Sequence, residues 1–357
     1  MLDQPKDIRK GEELDLKKLS EYLAGINPEW SDLPEVKQFP SGFSNLTYWL
    51  KIGEKEFVLR KPPHGANAKG GHDMHREFTI LDNLYPVFDK VPKPFHYCED
   101  PEVIGGPFYL MERVKGIILR RPGGKSFTPL PEQAYKEIST SWLDTFVELH
   151  QLDYQAAGLG ELGRPEGYVE RQITGWSKRY TKAQTSAVKE IAQVMKWLNT
   201  HMPPDSGASL IHNDYKYDNI VYQEGDWTQI IAILDWEMST LGDPLMDLGT
   251  SVAYWIDQGE GNESSLLASI PTYFPGNPTR EELVHQYSLK SGIPIDNFVF
   301  YYVYGLFKLA VVVQQIYYRY EKGFTKDPRF AQLDQMAQYL CVKGLQAIQK
   351  NRIYDLF

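Results

Sequence analysis

The sequence predicts an α+β fold in two parts, a small antiparallel β-sheet unit followed by a larger, mainly helical one. Three observations carry this reading. Two β-prone runs, Leu46–Ile52 and residues 57–60, flank Gly53-Glu54-Lys55 and predict a hairpin. After Lys115-Gly116 the chain turns to long stretches with apolar residues at helical spacing. In that second part the only β signals are residues 220–222 and 230–234, joined by Glu224-Gly225-Asp226.

Taken in order, residues 12–23 place Leu14, Leu16, Leu19 and Leu23 among charges, which predicts an amphipathic helix ended by Asn27-Pro28. The hairpin follows, and then Pro62-Pro63-His64-Gly65 through Gly70-Gly71 cannot continue a strand and reads as a loop. Residues 75–84 carry Phe78, Leu81 and Leu84 at helical spacing, with Glu77 one position off that stripe. Residues 95–97 and 108–111 complete a mixed unit of about a hundred residues, within the size of one domain. Helical periodicity then marks residues 131–151, 168–182, 186–200, 281–291, 296–320 and 330–351, with no internal repeat. Residues 298–313 form the most apolar run, yet they are too short to span a bilayer and Lys308 interrupts them, which predicts a buried core helix.

With 357 residues, 42% of them hydrophobic and 13% aromatic, the chain has ample material for a core and does not have a disordered composition. A net charge of −9 with no Lys/Arg cluster argues against a nucleic-acid partner. Cys98 and Cys341 lie far apart without a second Cys or His at ligand spacing, so neither a disulfide framework nor a zinc site is indicated. The first 16 residues are charged rather than leader-like, and the expectation is a cytoplasmic protein without membrane partners. A homodimer is allowed by the sequence but not read from it.

The stretch most informative for chemistry is Leu210-Ile211-His212-Asn213-Asp214-Tyr215-Lys216-Tyr217-Asp218-Asn219, followed by the second hairpin and Asp235-Trp236-Glu237. Asn219 enters the hairpin and Asp235 leaves it, so antiparallel pairing brings those two positions together. Asp214 lies five residues before Asn219 on the same loop. Two carboxylates and a carboxamide are hard oxygen donors of the kind that hold Mg²⁺ together with substrate phosphates. Phosphoryl transfer relies on such metal ions and on a carboxylate that orients the attacking hydroxyl.

His212-x-Asp214-x4-Asn219 with Asp235 after an apolar strand resembles the kinase superfamily, specifically the aminoglycoside phosphotransferase family and its choline-kinase-like relatives. The resemblance implies a bilobal protein kinase-like fold: a nucleotide-binding lobe over residues 1–112, a hinge at 113–117, and a catalytic and substrate-binding lobe over 118–357. It implies ATP and Mg²⁺, with Asp214 catalytic, Asn219 and Asp235 on the metal, and a small-molecule hydroxyl as acceptor. His212 would support the loop. Gly242-Asp243-Pro244-Leu245-Met246-Asp247-Leu248 also resembles the family, with Asp243 either bridging to the catalytic loop or, like Asp247, only capping the next helix.

On the nucleotide side the resemblance assigns Ser44, in Ser41-Gly42-Phe43-Ser44-Asn45-Leu46-Thr47, to the phosphates, a plain polar hairpin being the alternative for that segment, and Glu112 and Val114 at the hinge to the adenine. Arg60 stands where such kinases carry a Lys, and its expected partner is the helix carboxylate Glu77. The alternative is a surface Arg and Glu of little consequence. Lys61 would face the opposite way, since side chains alternate along a strand. Residues 147–150 and Tyr168-x-x-Arg171-Gln172-x-x-x-Trp176 resemble the subgroup related to kinase-like domains fused to acyl-CoA dehydrogenases, which implies hydroxyacyl thioester acceptors; a helix packing Trp176 inward explains the same residues. A protein kinase fits poorly, because seven residues between Asp235 and Asp243 leave no room for an activation segment. Two further readings are a nucleotide-binding homologue with little activity and a metal-dependent hydrolase, the latter lacking any H-E-x-x-H motif.

Overall fold

The computed structural model describes residues 4–39, 45–63, 72–120, 128–186, 188–260, 270–325 and 327–357. In chain order the elements are α1 (Leu16–Ile26), β1 (Glu35–Gln38), β2 (Leu46–Ile52), β3 (Lys55–Lys61), α2 (Met74–Leu84), β4 (Pro94–Cys98), α3 (Pro101–Ile104), β5 (Phe108–Glu112) and β6 (Ile117–Ile118). They continue as α4 (Glu132–Gln151), α5 (Tyr168–Ala183), α6 (Lys189–Thr200), β7 (Ser209–Ile211), β8 (Ile220–Gln223), β9 (Asp226–Ile233), β10 (Thr240–Gly242), α7 (Pro244–Ala253), α8 (Arg280–Ser291), α9 (Val299–Glu321) and α10 (Leu333–Lys350). The chain divides into two compact units. One comprises Met1–Leu119, Gln155–Leu159 and Asp218–Met238, the other Arg120–Tyr154, Gly160–Tyr217 and Ser239–Phe357.

The first unit is built on an antiparallel sheet in the order β1-β2-β3-β5-β4. Ile52 pairs with Lys55, which leaves Gly53-Glu54 as a two-residue turn. Gly53 sits there at φ +58, a conformation open to Gly without steric penalty. One core cluster joins Leu19 and Leu23 of α1 to Leu50, Phe57, Leu59 and Leu110 of the sheet. The helix expected from residue 12 begins at Leu16, because the Asp15 side chain accepts from Lys18 N and caps it there. Leu14 is buried just ahead of the helix. In α2 the buried face holds Glu77, Ile80, Leu81 and Leu84, so the stripe expected on Phe78 is displaced by one residue toward the carboxylate. A second sheet, in the order β6-β8-β9, carries the hairpin predicted near residues 220–234.

Among the described residues, the regular elements of the second unit are helices apart from the short pair β7–β10. These three-residue strands and β6 escaped the sequence reading, being too short to show alternation. At its centre α9 is long and apolar enough to cross a membrane by length and composition alone, yet most of it is buried against α7, α10, α5 and α6 as a core helix. Two glycines set the closest approach: a Cβ on Gly305 would lie 2.1 Å from the Gly249 carbonyl oxygen, and one on Gly249 would lie 2.2 Å from that of Tyr301. Helix α8 starts on a capping box between Thr279 and Glu282.

Candidate active site

In the first unit, β3 delivers Arg60 to the sheet face that meets α2. The guanidinium is 7% exposed and gives one nitrogen, Nη1, to Glu77 Oε1 at 2.7 Å, and the other, Nη2, to Asp235 Oδ1 at 2.9 Å and Glu237 Oε2 at 3.3 Å. The Arg60–Glu77 pair is therefore buried, and the reading of two inconsequential surface charges does not hold. Burial works against the Arg60 charge, but Glu77 above all, then Tyr109, Asp235 and Glu237, hold it protonated well above its ordinary range. Burial pushes the Glu77 carboxyl up, against the pull of Arg60. Lys61 turns the other way, as strand alternation requires, and donates to the Ile104 carbonyl at 2.6 Å.

Asn219 and Asp235 also belong to this unit. Ile220 pairs with Ile233, and Leu234 N donates to Asn219 O at 2.8 Å, so the two ends of the hairpin meet at the backbone. Asp235 then turns at φ +67, a left-handed conformation uncommon outside Gly, while its carboxylate reaches Arg60. Glu237, two residues on, accepts from Asn45 Nδ2 at 2.7 Å and was not singled out by sequence. Its signal was present as the third acid beside Asp235. The chemistry of Asn219 and Asp235 fits a divalent cation: a carboxamide and a carboxylate oxygen, in a unit where three carboxylates share one guanidinium. Among the described residues no group of three or more His, Cys, Asp or Glu could hold a metal ion by itself. Mg²⁺ suits such a sparse donor set because it completes its shell with phosphate oxygens and waters.

Of the remaining nucleotide-side residues, Ser44 lies outside the described residues, as do its neighbours Ser41, Gly42 and Phe43. Glu112 is exposed at the end of β5, where its carboxylate accepts from Lys93 N at 3.3 Å. Val114 packs against the small cluster of Ile118, Val221 and Ala232.

In the second unit, Asp214 follows β7 on a loop fastened from several helices. Asp247, fully buried on the first turn of α7, accepts from His212 N at 2.7 Å and Asn213 N at 2.8 Å. Its carboxyl is held below the usual range: burial opposes the charge, but His150, His212 and Lys308 outweigh it. Asp247 therefore bridges to the loop. Asp243 caps α7 through Leu245 N and Met246 N and takes Ser206 N and Oγ. The sequence left Asp243 open between bridging and capping and offered Asp247 only as a cap; Asp243 is the cap, and one helical turn further on Asp247 reaches the strand end and bridges. His150 Nε2 stands 3.2 Å from Asp247 and its Nδ1 2.7 Å from Tyr287 Oη. His212 is fully buried, its Nδ1 accepting from Asp214 N at 3.3 Å, as befits loop support.

Asn213, at φ +66, is the second non-Gly residue of these segments in the left-handed region. Lys308 of α9 donates to its carbonyl at 2.8 Å and its side-chain oxygen at 3.0 Å. Lys216 forms an ion pair with Asp214 and lies over the Tyr254 ring. Lys216 could have been flagged two residues after Asp214, whereas Lys308 is 94 residues away and had no local signal beyond interrupting an apolar run. Trp176 is packed inward and donates to Gln172, and Arg171 is tied to the carbonyls of Arg164 and Glu166, so these three sequence candidates serve α5 and its entry.

Residues 35–271 match the sequence model of the phosphotransferase enzyme family. Mouse acyl-CoA dehydrogenase family member 10 is 35% identical over 87% of the chain, and the chicken family member 11 is 33% identical over 98%. The chain spans 29% and 47% of the length of those two proteins, respectively. A crystal structure of a candidate aminoglycoside phosphotransferase from Ralstonia eutropha is 28% identical, with a TM-score of 0.78 over 95% of this chain and 99% of that one. An α+β, kinase-like architecture, the Asp214–Asn219–Asp235 motif and a family match across two thirds of the sequence converge: the chain belongs to the phosphotransferase enzyme family.

Proposed function

We propose that the protein transfers the γ-phosphoryl group of ATP to a hydroxyl of a small molecule. The observation that carries the reading is the Arg60 fork, which ties the sheet to Glu77 of α2 and to Asp235 beyond the hairpin. Family membership supplies the reaction class. Asp214 acts as the base: the acceptor oxygen bonds to the γ-phosphorus, its proton passes to Asp214, and the bond to the β–γ bridging oxygen breaks to release ADP. Asn219 and Asp235 would hold Mg²⁺, which when bound offsets charge on the transferring phosphoryl group. Asp247 keeps the Asp214 loop in place through the two backbone amides it accepts from.

A hydroxyacyl thioester is the second reading for the acceptor, supported by the relatives named as acyl-CoA dehydrogenase family members. The test is Mg²⁺-dependent ATP binding followed by acceptor-stimulated ADP release across aminoglycosides, choline, sugars and hydroxyacyl-CoA. Asp214→Ala should lower transfer at least a hundredfold with nucleotide affinity within about threefold of the unaltered protein. Failure of the unaltered protein to bind Mg²⁺-ATP would sink the proposal.

A further inference from the structure

We infer that Lys308 is a positioning residue for phosphoryl transfer: from the buried middle of α9 it fixes the peptide that precedes Asp214 and so sets the aim of that carboxylate. The inference rests on the reading of Asp214 as the base. Lys308 is 3% exposed, and its ammonium group has three acceptors: the Asn213 carbonyl at 2.8 Å, Asn213 Oδ1 at 3.0 Å and Thr250 Oγ1 at 3.4 Å. Two of the three belong to one residue, and that residue holds a left-handed φ of +66 immediately before Asp214.

A lysine is an expensive way to fill a helix core, since an ammonium buried among Val, Leu and Phe forfeits its hydration. Thr250 could be satisfied within its own helix, and its hydroxyl does donate to Met246 O at 3.0 Å. What needs Lys308 is therefore the Asn213 peptide. Its N–H is held by Asp247 and its carbonyl by Lys308, so the acid of α7 and the base of α9 clamp the same residue from both sides. Tyr168 of α5 meets the Asn213 side chain at 3.2 to 3.3 Å and completes the enclosure.

Three acceptors engage three N–H bonds only while the amine is protonated; the neutral amine offers two and turns a lone pair on the third. The charged groups facing Lys308 are Asp247 of α7, Asp214 and Lys216 of the loop, and Arg179 of α5. Burial brings the ammonium down to about 8, with Asp247 and Asp214 resisting. The clamp is then complete below pH 8 and loosens above it.

The experiment compares the unaltered protein with Lys308→Met and Lys308→Arg, using Mg²⁺-ATP as the probe. ADP release is measured without added acceptor from pH 6.5 to 9.5, together with nucleotide Kd and amide hydrogen exchange over residues 210–217. Lys308→Met should lower ADP release at least thirtyfold at pH 7 with Kd within threefold, and raise exchange in that segment but not in β1–β5. The unaltered protein should lose rate with a midpoint near pH 8, and Lys308→Arg, which keeps its charge, should hold its rate beyond pH 9. Retention of ADP release within threefold in Lys308→Met overturns the inference. So do identical alkaline limbs in the unaltered and Arg proteins, which decide the matter if the Met variant does not fold. Absence of Mg²⁺-ATP binding by the unaltered protein overturns the kinase reading and this inference together; binding and turnover alike in all three overturn this inference alone.

Discussion

At Arg60 one planar guanidinium serves carboxylates from two directions, with Nη1 on Glu77 and Nη2 on Asp235 and Glu237. A lysine ammonium is a single point of donation and cannot span that fork, which explains why an Arg stands where the family resemblance leads one to expect Lys. Removing the charge would leave Glu77 buried and facing two other acids. Arg60→Met should therefore destabilise folding by about 3 kcal/mol, the scale for breaking one partner out of a buried pair, whereas Arg60→Lys should lose less. Urea unfolding checks this, and titration with Mg²⁺-ATP should show weaker binding in the Met variant. The sequence named Arg60 and Glu77 as partners because strand alternation and helix spacing are local rules. It did not name Lys308, since nothing in the neighbourhood of that residue shows that the chain will fold back onto it.

At the scale of elements, the contact of α7 with α9 decides where two of the loop-fastening side chains arrive. Gly249 of α7 and Gly305 of α9 let the backbones touch, and within one turn of them lie Asp247 and Lys308. A methyl group at either glycine would meet a carbonyl that cannot move aside without separating the helices. Gly305→Ala should destabilise the protein by about 3 kcal/mol or shift α9 outward, and it should reduce transfer even though it touches no substrate. Thermal unfolding and ADP release on the same preparation test both. Element identities were largely legible: β2 and the hairpin of β8 and β9 follow from pattern and turn residues, and six of the second unit's helices from periodicity. Their ends were not, because capping side chains such as Asp15 set them. The pairing of β7 with β10, strands of three residues each, depends on segments that are adjacent only after folding.

For the molecule as a whole, buried ionisable groups make stability and activity respond to pH in opposite senses. Lys308 titrates near pH 8 in the folded chain against an ordinary value of 10.5. Its folded pKa is depressed, so its charge burdens the native state at neutral pH, and the burden lifts as pH rises from 8 toward 10.5. This group alone should raise unfolding free energy by about 3 kcal/mol over that range, the same range in which ADP release should fall. Subtracting the pH dependence of Lys308→Met isolates its share. At the acid end, Glu260 is half-buried, which opposes its charge, yet Arg280 and Lys343 hold its carboxyl at about 2. Its contribution is full above the ordinary glutamate range and is lost as pH falls toward 2, which urea midpoints between pH 5 and 2.5 would register. The sequence by itself determined the two-part α+β architecture, the spacing of Asp214, Asn219 and Asp235, and the family, because alternation, helical period and short motifs are all written within a few dozen residues. Tertiary structure alone decided which charges hold those residues in place. Asp247, His150 and Lys308 come from elements remote in sequence, and only the close packing of those elements, with the burial it imposes, makes their partners obligatory.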